Sequence, residues 1–478
     1  MRKLIITLWS LALFVTTQAG DYAKYYQQLP TPVKAVVPVQ IPDRQLNLVD
    51  CGGVGDGVTL CTDAFQKAIA QLAEMGGGRV LVPQGIWLTG PIELLDNIEL
   101  HLDKNAIIYF SPDKRLYPNT TRRSSRVRPC IGATRRHNIA ITGQGIIDGN
   151  GQQWRPVKRG KMSDVEWNLY KDMGGQVTDD GSLWYPWQMK NNYPDIADSP
   201  KKQEGMRNDL VRIEHCENVL FEGVTFQNSP RFHVHPCYCR NVILDGITVS
   251  SPWNVQNADG IDLSDCHQAL IVNSTVSVGD DGLCMKSGAP APNRLAGCQN
   301  ILIDNCTVYH AHGGFVLGSE TAGGVRDMVV RRCRFSGTDT GLRFKSGIGR
   351  GGKTERLYVS DIVMTDIKDE AIGFQCDYVN RPAGSDDKAM STFTEEQRRL
   401  APQFQDIHIA NVVCYGVRTG IRASGIAGLD CVRDIDISNC TIIYNKVATQ
   451  IDQPTAKLRL TDVRLVENKK AEQEKSNQ

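Results

Sequence analysis

The chain has 478 residues, with 54 Lys plus Arg against 53 Asp plus Glu, for a net charge of +1. That balance lacks the basic surplus that binds nucleic acid or an anionic membrane surface. No stretch beyond the first residues approaches the roughly 20 uncharged apolar residues of a membrane helix.

Arg2 and Lys3, the apolar run from Leu4 to Val15 and the small-residue site Thr17-Gln18-Ala19 predict an export signal over 1–19. The mature chain is then expected to begin near Gly20, in a periplasm or outside the cell. Residues 20–95 hold LVDCGGVGDG, the helical stretch AFQKAIAQLAEMGGG and RVLVPQGIWLTG, which read as a first coil with a capping helix ended by glycines. Residues 96–466 carry a repeat interrupted twice, at 150–208 and at 380–404. The first insertion contains Trp154, Trp167, Trp184 and Trp187; these aromatics either stack on sugars from an exposed loop or pack the loop down. Residues 467–478 form a polar tail expected to be disordered.

Aligning the chain on Asn218, Asn241, Gln268, Asn300 and Asp434 brings a threonine to the seventh following position each time: Thr225, Thr248, Thr275, Thr307 and Thr441. The first and third following positions are apolar, as in Val219/Phe221 and Ile301/Ile303, so each unit starts a short strand with one buried face. Successive anchors lie 23, 27 and 32 residues apart. That is too short for a four-stranded propeller blade and suits a coil of three short strands. The fold class is therefore all-β, a single right-handed parallel β-helix with an N-terminal capping helix.

The fifteen cysteines are odd in number and sparse for a disulfide scaffold. Cys306, Cys333 and Cys440 share one repeat position, and Cys216, Cys239, Cys266 and Cys298 share another, so two ladders of small buried thiols are expected. Cys237 and Cys239 lack the second pair that a zinc site needs. Asn273, Asn305 and Asn439 stand in N-x-T sequons at one repeat position and are expected to form internal side-chain ladders instead of accepting glycans. The run Gly347-x-Gly349-x-Gly351 lacks the following helix of a nucleotide loop and reads as a turn between coils.

Four segments carry chemistry: Asn257-Ala258-Asp259 in QNADGID, Asp280-Asp281 in VGDDG, His312 in AHGGF and Arg343-Phe344-Lys345 in GLRFK. They are one coil apart: 21 residues from Asp259 to Asp280, 31 from Asp281 to His312 and 31 from His312 to Arg343. On adjacent strands about 4.8 Å apart their side chains converge on one patch. Asp259-Gly260 and Asp281-Gly282 are each also compatible with a plain turn. Arg343 and Lys345 point to one side of a strand, where an anion must answer them: the protein's own carboxylates or a carboxylate on a substrate. Crowded carboxylates cannot all ionise, so one keeps its proton while another is charged, the division of labour that glycosidic cleavage requires.

These motifs resemble glycoside hydrolase family 28, the polygalacturonase family, whose pattern is N-T-D, D-D, G-H-G and R-I-K in this order and spacing. The resemblance runs from LVDCGGVGDG to VRDIDISNC and is greatest to bacterial exo-acting members. It implies a pectin-lyase-like solenoid that cleaves α-1,4-galacturonosyl linkages with inversion, exo-acting by the length of the 150–208 loop. It implies Asp280 as general acid, Asp259 and Asp281 as the carboxylates that activate water, and His312 as support for the acid. Asn257, Arg343 and Lys345 would contact substrate, the two cations gripping a galacturonate carboxylate, and Tyr378 would touch a sugar one coil further on. Ala258, Ala311 and Phe344 depart from the pattern without removing a functional group. Asn208-Asp209 after Arg207, and Arg231 in NSPRFHVHP, suggest altered sugar subsites, so rhamnogalacturonan or xylogalacturonan remain alternative substrates. A calcium-dependent pectate lyase and a non-catalytic polysaccharide-binding β-helix share the expected architecture. The resemblance implies a pectic polysaccharide or oligogalacturonide as partner, and no metal or cofactor. A capped solenoid is expected to be a monomer.

Overall fold

The computed structural model describes residues 22–118, 127–186, 204–378 and 394–469. The expected signal at 1–19, Trp187, most of the second insertion and the tail beyond Lys469 lie outside the described residues. Through the central coils each strand pairs in parallel with the strand three further along, so three strands make one coil and the crossovers wind right-handedly. One sheet stacks Thr225–Gln227, Thr248–Ser250, Thr275–Ser277 and Thr307–Tyr309, with the four repeat threonines in register. A second stacks Glu217–Glu222, Arg240–Asp245, His267–Val272 and Cys298–Asp304. The third, which carries the site, stacks Val211–Glu214, Val234–Cys237, Ile261–Ser264, Leu283–Ser287, Gly313–Thr321 and Thr340–Lys345. The last coils merge into the continuous strands Lys353–Gln375, Ile407–Ser424, Val432–Ile451 and Ala456–Glu467, the last ending one residue inside the expected tail.

The anchor residues are where the chain bends. Asn218, Asn241, Gln268, Asn300 and Asp434 all have φ between 52° and 65°, the left-handed region that Asn and Asp enter at least cost. Their amides also stack: Asn241 donates to Asn218 at 2.8 Å, and Asn218 to Asn138 at 2.9 Å. The segment from Tyr22 to Ile41 lies across this face. Its backbone exchanges hydrogen bonds with Asn241, Gln268 and Asn300, while Tyr25, Val36 and Val39 cover Ile243, Leu270 and Leu302.

The capping helix is Thr62–Glu74, and its buried stripe Phe65, Ala68, Ile69 and Leu72 closes the first coil. Its exit needs glycine: at Gly77 (φ 115°) a Cβ would come within 2.3 Å of the Asn97 side chain.

All fifteen cysteines are buried and free, as the ladder reading requires. The sequon asparagines differ from expectation. Asn305 donates to Asn273 at 2.8 Å and Asn439 to Asn411 at 2.7 Å, so the ladders exist, but Asn273, Asn305 and Asn439 sit exposed at a coil corner, not inside. The reason is that the corner bends outward, placing the amide over the turn and leaving the interior to apolar neighbours.

The described part of the first insertion holds the antiparallel strands Val157–Lys158, Gln176–Val177 and Leu183–Tyr185 and the helix Asp164–Asp172, started by a Ser163/Glu166 capping box. Trp154, Trp167 and Trp184 are 0%, 8% and 3% exposed, which decides between the two readings of the described tryptophans: they pack the loop down. Trp154 packs edge-on against Tyr117 at 4.8 Å, and the Trp184 indole donates to the Gly174 carbonyl.

Candidate active site

Along the outer face of the third sheet, register places Arg212 beside His235, Asp262 beside Cys284, Cys284 beside Val316 and Val316 beside Arg343, while Val234 opposite Ile261 brings His235 next to Asp262. The four chemical segments meet on this face. Asp259 and Asp281 each stand one glycine ahead of two adjacent strands, and Gly260 and Gly282 sit at bends without the positive φ of a left-handed turn. A Cβ at Gly260 would lie 2.4 Å from Val276, and one at Gly282 would lie 2.7 Å from Val308. These glycines let successive coils close up, with Gly260 N–H donating to the Asp281 carbonyl and Gly282 N–H to the Gly313 carbonyl.

Asp280 is the most heavily held of the carboxylates. Its Oδ2 accepts from the Asn257 N–H at 2.8 Å, and its Oδ1 accepts from the Asp281 N–H at 3.0 Å and lies 3.0 Å from His312 Nδ1. Asp281 Oδ2 pairs with Lys345 Nζ at 2.8 Å, and its Oδ1 lies 3.5 Å from Arg343. Burial pushes both carboxyls up. His312, then Lys345, outweigh that for Asp280, and Lys345 and Arg343 do so for Asp281, so both are held below the ordinary carboxylate range. Asp259 goes the other way, pushed up by burial and by Asp262 despite Lys286 3.0 Å from its Oδ2. The carboxyls therefore divide, Asp280 and Asp281 leaning toward the ionised form and the buried pair of Asp259 and Asp262, both pushed up first by burial, leaning toward holding a proton between them.

All the residues singled out come together. Asn257 contributes its backbone N–H; its side chain makes no hydrogen bond within the site. Lys345 lies 5.3 Å from the Tyr378 ring centroid, so the loosely matched tyrosine does reach the cations. Beneath them Phe344 stacks on Phe374 at 4.4 Å and edges onto Phe315 and Phe404, an aromatic column that fixes the strand. Arg207 does not fit a sugar-subsite role: its side chain has zero exposure and bonds Glu204 and the carbonyls of Pro230 and Gln256. It acts as a brace under the loop that carries Asn257. Asp209 is bound to His235 at 3.0 Å and Arg212 at 3.1 Å.

Sequence reasoning missed Lys286, Asp262, Asp339 and Lys161. Asp262 follows Asp259 by three positions and Lys286 follows Asp281 by five, spacings that become neighbours only once the strands are paired. Asp339 Oδ2 lies 3.9 Å from His312 Nε2. Lys161, from the insertion, reaches the Gly279 carbonyl at 3.4 Å; burial holds its ammonium below the ordinary lysine range, with Asp280 the largest influence opposing it.

Two cavities flank the aspartates on this face. One of about 570 Å³ is lined by His312, Arg343, Lys345, Glu370 and Arg422 among others, and one of about 420 Å³ by Arg128, Asn208, Asp209, Arg212 and Glu214. Asp280, Asp281 and His312 also present ligand atoms within 4.8 Å of one another, a grouping not expected from the sequence. An ammonium and an imidazole already occupy their inward oxygens, so a cation there would displace Lys345 or His312.

The sequence profile described as Glycosyl hydrolases family 28 matches residues 168–395. A Vitis vinifera protein named "Probable polygalacturonase" is 29% identical over 402 residues, 83% of this chain and 74% of its own length. The exo-poly-alpha-D-galacturonosidase of Dickeya chrysanthemi is 26% identical over 439 residues, 88% of this chain and 69% of its own. The crystal structure of an exopolygalacturonase from Thermotoga maritima superposes with a TM-score of 0.72 at 31% identity, covering 90% of this chain and 94% of that one. A parallel β-helix, a cluster of three aspartates with histidine and an Arg-x-Lys pair, and this similarity over nearly the whole length agree: the chain belongs to glycoside hydrolase family 28 and is a glycoside hydrolase.

Proposed function

We propose that the enzyme hydrolyses α-1,4-galacturonosyl linkages of pectic polysaccharide from a chain end, with inversion at the anomeric carbon. The observation that carries this reading is the placing of Arg343 and Lys345 against the carboxylate that adjoins Asp280: a uronate docking on the two cations sets its glycosidic bond beside the acid. Asp280 is the general acid. In the free site Asp280 is held on the ionised side by His312, 3.0 Å away, and by Lys345. A uronate carboxylate on Arg343 and Lys345 offsets the positive field that keeps Asp280 ionised, so that Asp280 takes up the proton it is to deliver. Asp280 then protonates the leaving oxygen while Asp259 and Asp281 orient water and take its proton. Asn257 supports the acid through its N–H, and Tyr378 offers a ring face to the sugar on the cations.

Exo action is supported by the insertion, whose Lys161 reaches the residue preceding Asp280 and so stands as a wall at the catalytic carboxylates. The names of the Dickeya chrysanthemi and Thermotoga maritima relatives point the same way. The export signal, a mature chain from about Gly20, one solenoid domain over 96–466 behind the capped segment 20–95, and a monomeric state complete the reading. No helix among the described residues is long and apolar enough to cross a membrane.

The test is product analysis on polygalacturonate, rhamnogalacturonan, xylogalacturonan and their oligomers in EDTA, comparing wild type with Asp280→Asn. Saturated galacturonate units released by wild type and lost in the variant support the reading. Unsaturated products that vanish with EDTA would replace it with calcium-dependent elimination, and release from rhamnogalacturonan alone would move the substrate.

A further inference from the structure

Beneath Asp259 lies a carboxyl that this chemistry leaves unused. The Asp262 side chain has zero exposure, and neither of its oxygens has a hydrogen-bond partner. Lys286 Nζ is 3.3 Å from Asp262 Oδ1, an ion-pair distance without hydrogen-bond alignment, and 3.0 Å from Asp259 Oδ2, to which it donates. One ammonium therefore faces two buried carboxyls, and two full negative charges there would leave one uncompensated in a low-dielectric setting. The pair keeps a proton.

Which carboxyl keeps it is decided by the donors. Asp259 receives the Lys286 N–H on Oδ2 and leaves only Oδ1 without a donor, whereas neither oxygen of Asp262 has an aligned donor, and an anion without donors is the costlier one to bury. Beyond Lys286, the neighbour that favours the Asp262 anion is His235, and it donates nothing to it. On one adjacent strand His235 has Nδ1 committed to Asp209 and Nε2 to Ser264. On the other, Cys284 faces Lys286 at 3.2 Å, and Asp281 adds negative charge.

We propose that Asp262 is stored as the neutral acid and acts as a positioning residue, reserving the Lys286 ammonium for Asp259 so that Asp259 is ionised when water arrives. This rests on Asp259 being one of the carboxylates that activate water. Asp262 exchanges no proton in turnover: the water oxygen bonds to the anomeric carbon, its proton passes to Asp259, the leaving oxygen takes a proton from Asp280, and those two carboxyls reset with solvent.

The test uses the full chain, with folding of each variant checked by circular dichroism. Infrared spectra at neutral pD should show a protonated-carboxyl band in wild type that disappears in Asp262→Asn, where the one remaining carboxyl is matched by the Lys286 ammonium. Asp262→Asn, which mimics the neutral acid, should keep kcat on trigalacturonate within about threefold. Lys286→Met, which removes the cation from Asp259, should lower kcat about tenfold or more and move the acid limb of the kcat/KM profile up by about one pH unit, as loss of a close ion pair does. Absence of the band from wild type, a folded Asp262→Asn with kcat down a hundredfold, or an unmoved acid limb in Lys286→Met would each overturn the inference. An active Asp259→Asn would instead remove Asp259 from the reaction, while the wild-type band would still report the proton held by the pair.

Discussion

Lys345 Nζ stands 2.8 Å from Asp281 Oδ2, so a cation expected to grip substrate is already engaged by the enzyme's own carboxylate. An arriving uronate must share that ammonium, and binding is thereby coupled to the charge of Asp281. Lys345→Met should raise KM for polygalacturonate by about tenfold or more, in line with the loss of a buried charge partner. It should also shift the acid limb upward. Asp281 is held below its ordinary value by Lys345 and Arg343 against burial, so removing Lys345 lets it take a proton at higher pH. A pH series of kcat/KM reads both effects.

His312 stands 3.0 Å from Asp280, the proposed acid, so His312→Ala should lower kcat by about a hundredfold or more with KM changed little, the pattern of a lost transition-state interaction. Steady-state rates on trigalacturonate distinguish this from loss of binding.

Chelation should leave the rate unchanged. The oxygens and nitrogen of Asp280, Asp281 and His312 that could crowd a cation face Lys345 and one another. Rates before and after dialysis against EDTA check this, and loss of activity restored by calcium would contradict it.

Glu99 links acid stability to one residue. Burial would raise its carboxyl, but hydrogen bonds from His101, Arg79 and Thr142 bring it down to about 2. Its folded value lies below the unfolded one, so its contribution is complete above about 4.5 and fades as pH falls toward about 2. A shift of that size corresponds to about 3 kcal/mol. Denaturant midpoints for wild type and Glu99→Gln should differ at pH 6 and converge near pH 2.

Trp154 is wholly buried, so Trp154→Ala should lower stability by about 3–5 kcal/mol and leave KM unchanged. A melting curve beside a KM measurement separates this packing role from sugar stacking.

The solenoid was legible in the sequence because each coil repeats the same local solution: a left-handed residue, then alternating apolar positions, then a threonine. The catalytic cluster was legible for a related reason, since Asp259, Asp280, His312 and Arg343 each sit at the entrance to or on a strand of one sheet. Asp262 and Lys286 were not. Their meeting depends on register between two strands, where Asp262 pairs with Cys284 and Ser264 with Lys286, an offset of 22 residues that equals none of the anchor intervals. The insertion tryptophans were equally opaque, because composition does not say which way an indole points. The asparagine ladder was foreseen but placed on the wrong side of the wall, since a repeat position reveals stacking without revealing which direction the corner bends.

The thiols offer a last consequence. From Cys51 and Cys61 beside the cap, through Cys130, Cys216, Cys239, Cys266, Cys298 and Cys333, to Cys376, Cys414 and Cys440, almost every winding of the chain hides at least one unbridged sulfur. No covalent cross-link ties one winding to another, so the molecule is free to unravel winding by winding from whichever end loosens first. Brief pulses of an alkylating reagent during unfolding in urea, followed by peptide mapping, would time-stamp each winding as it opens and show whether the capped end is the last to let go.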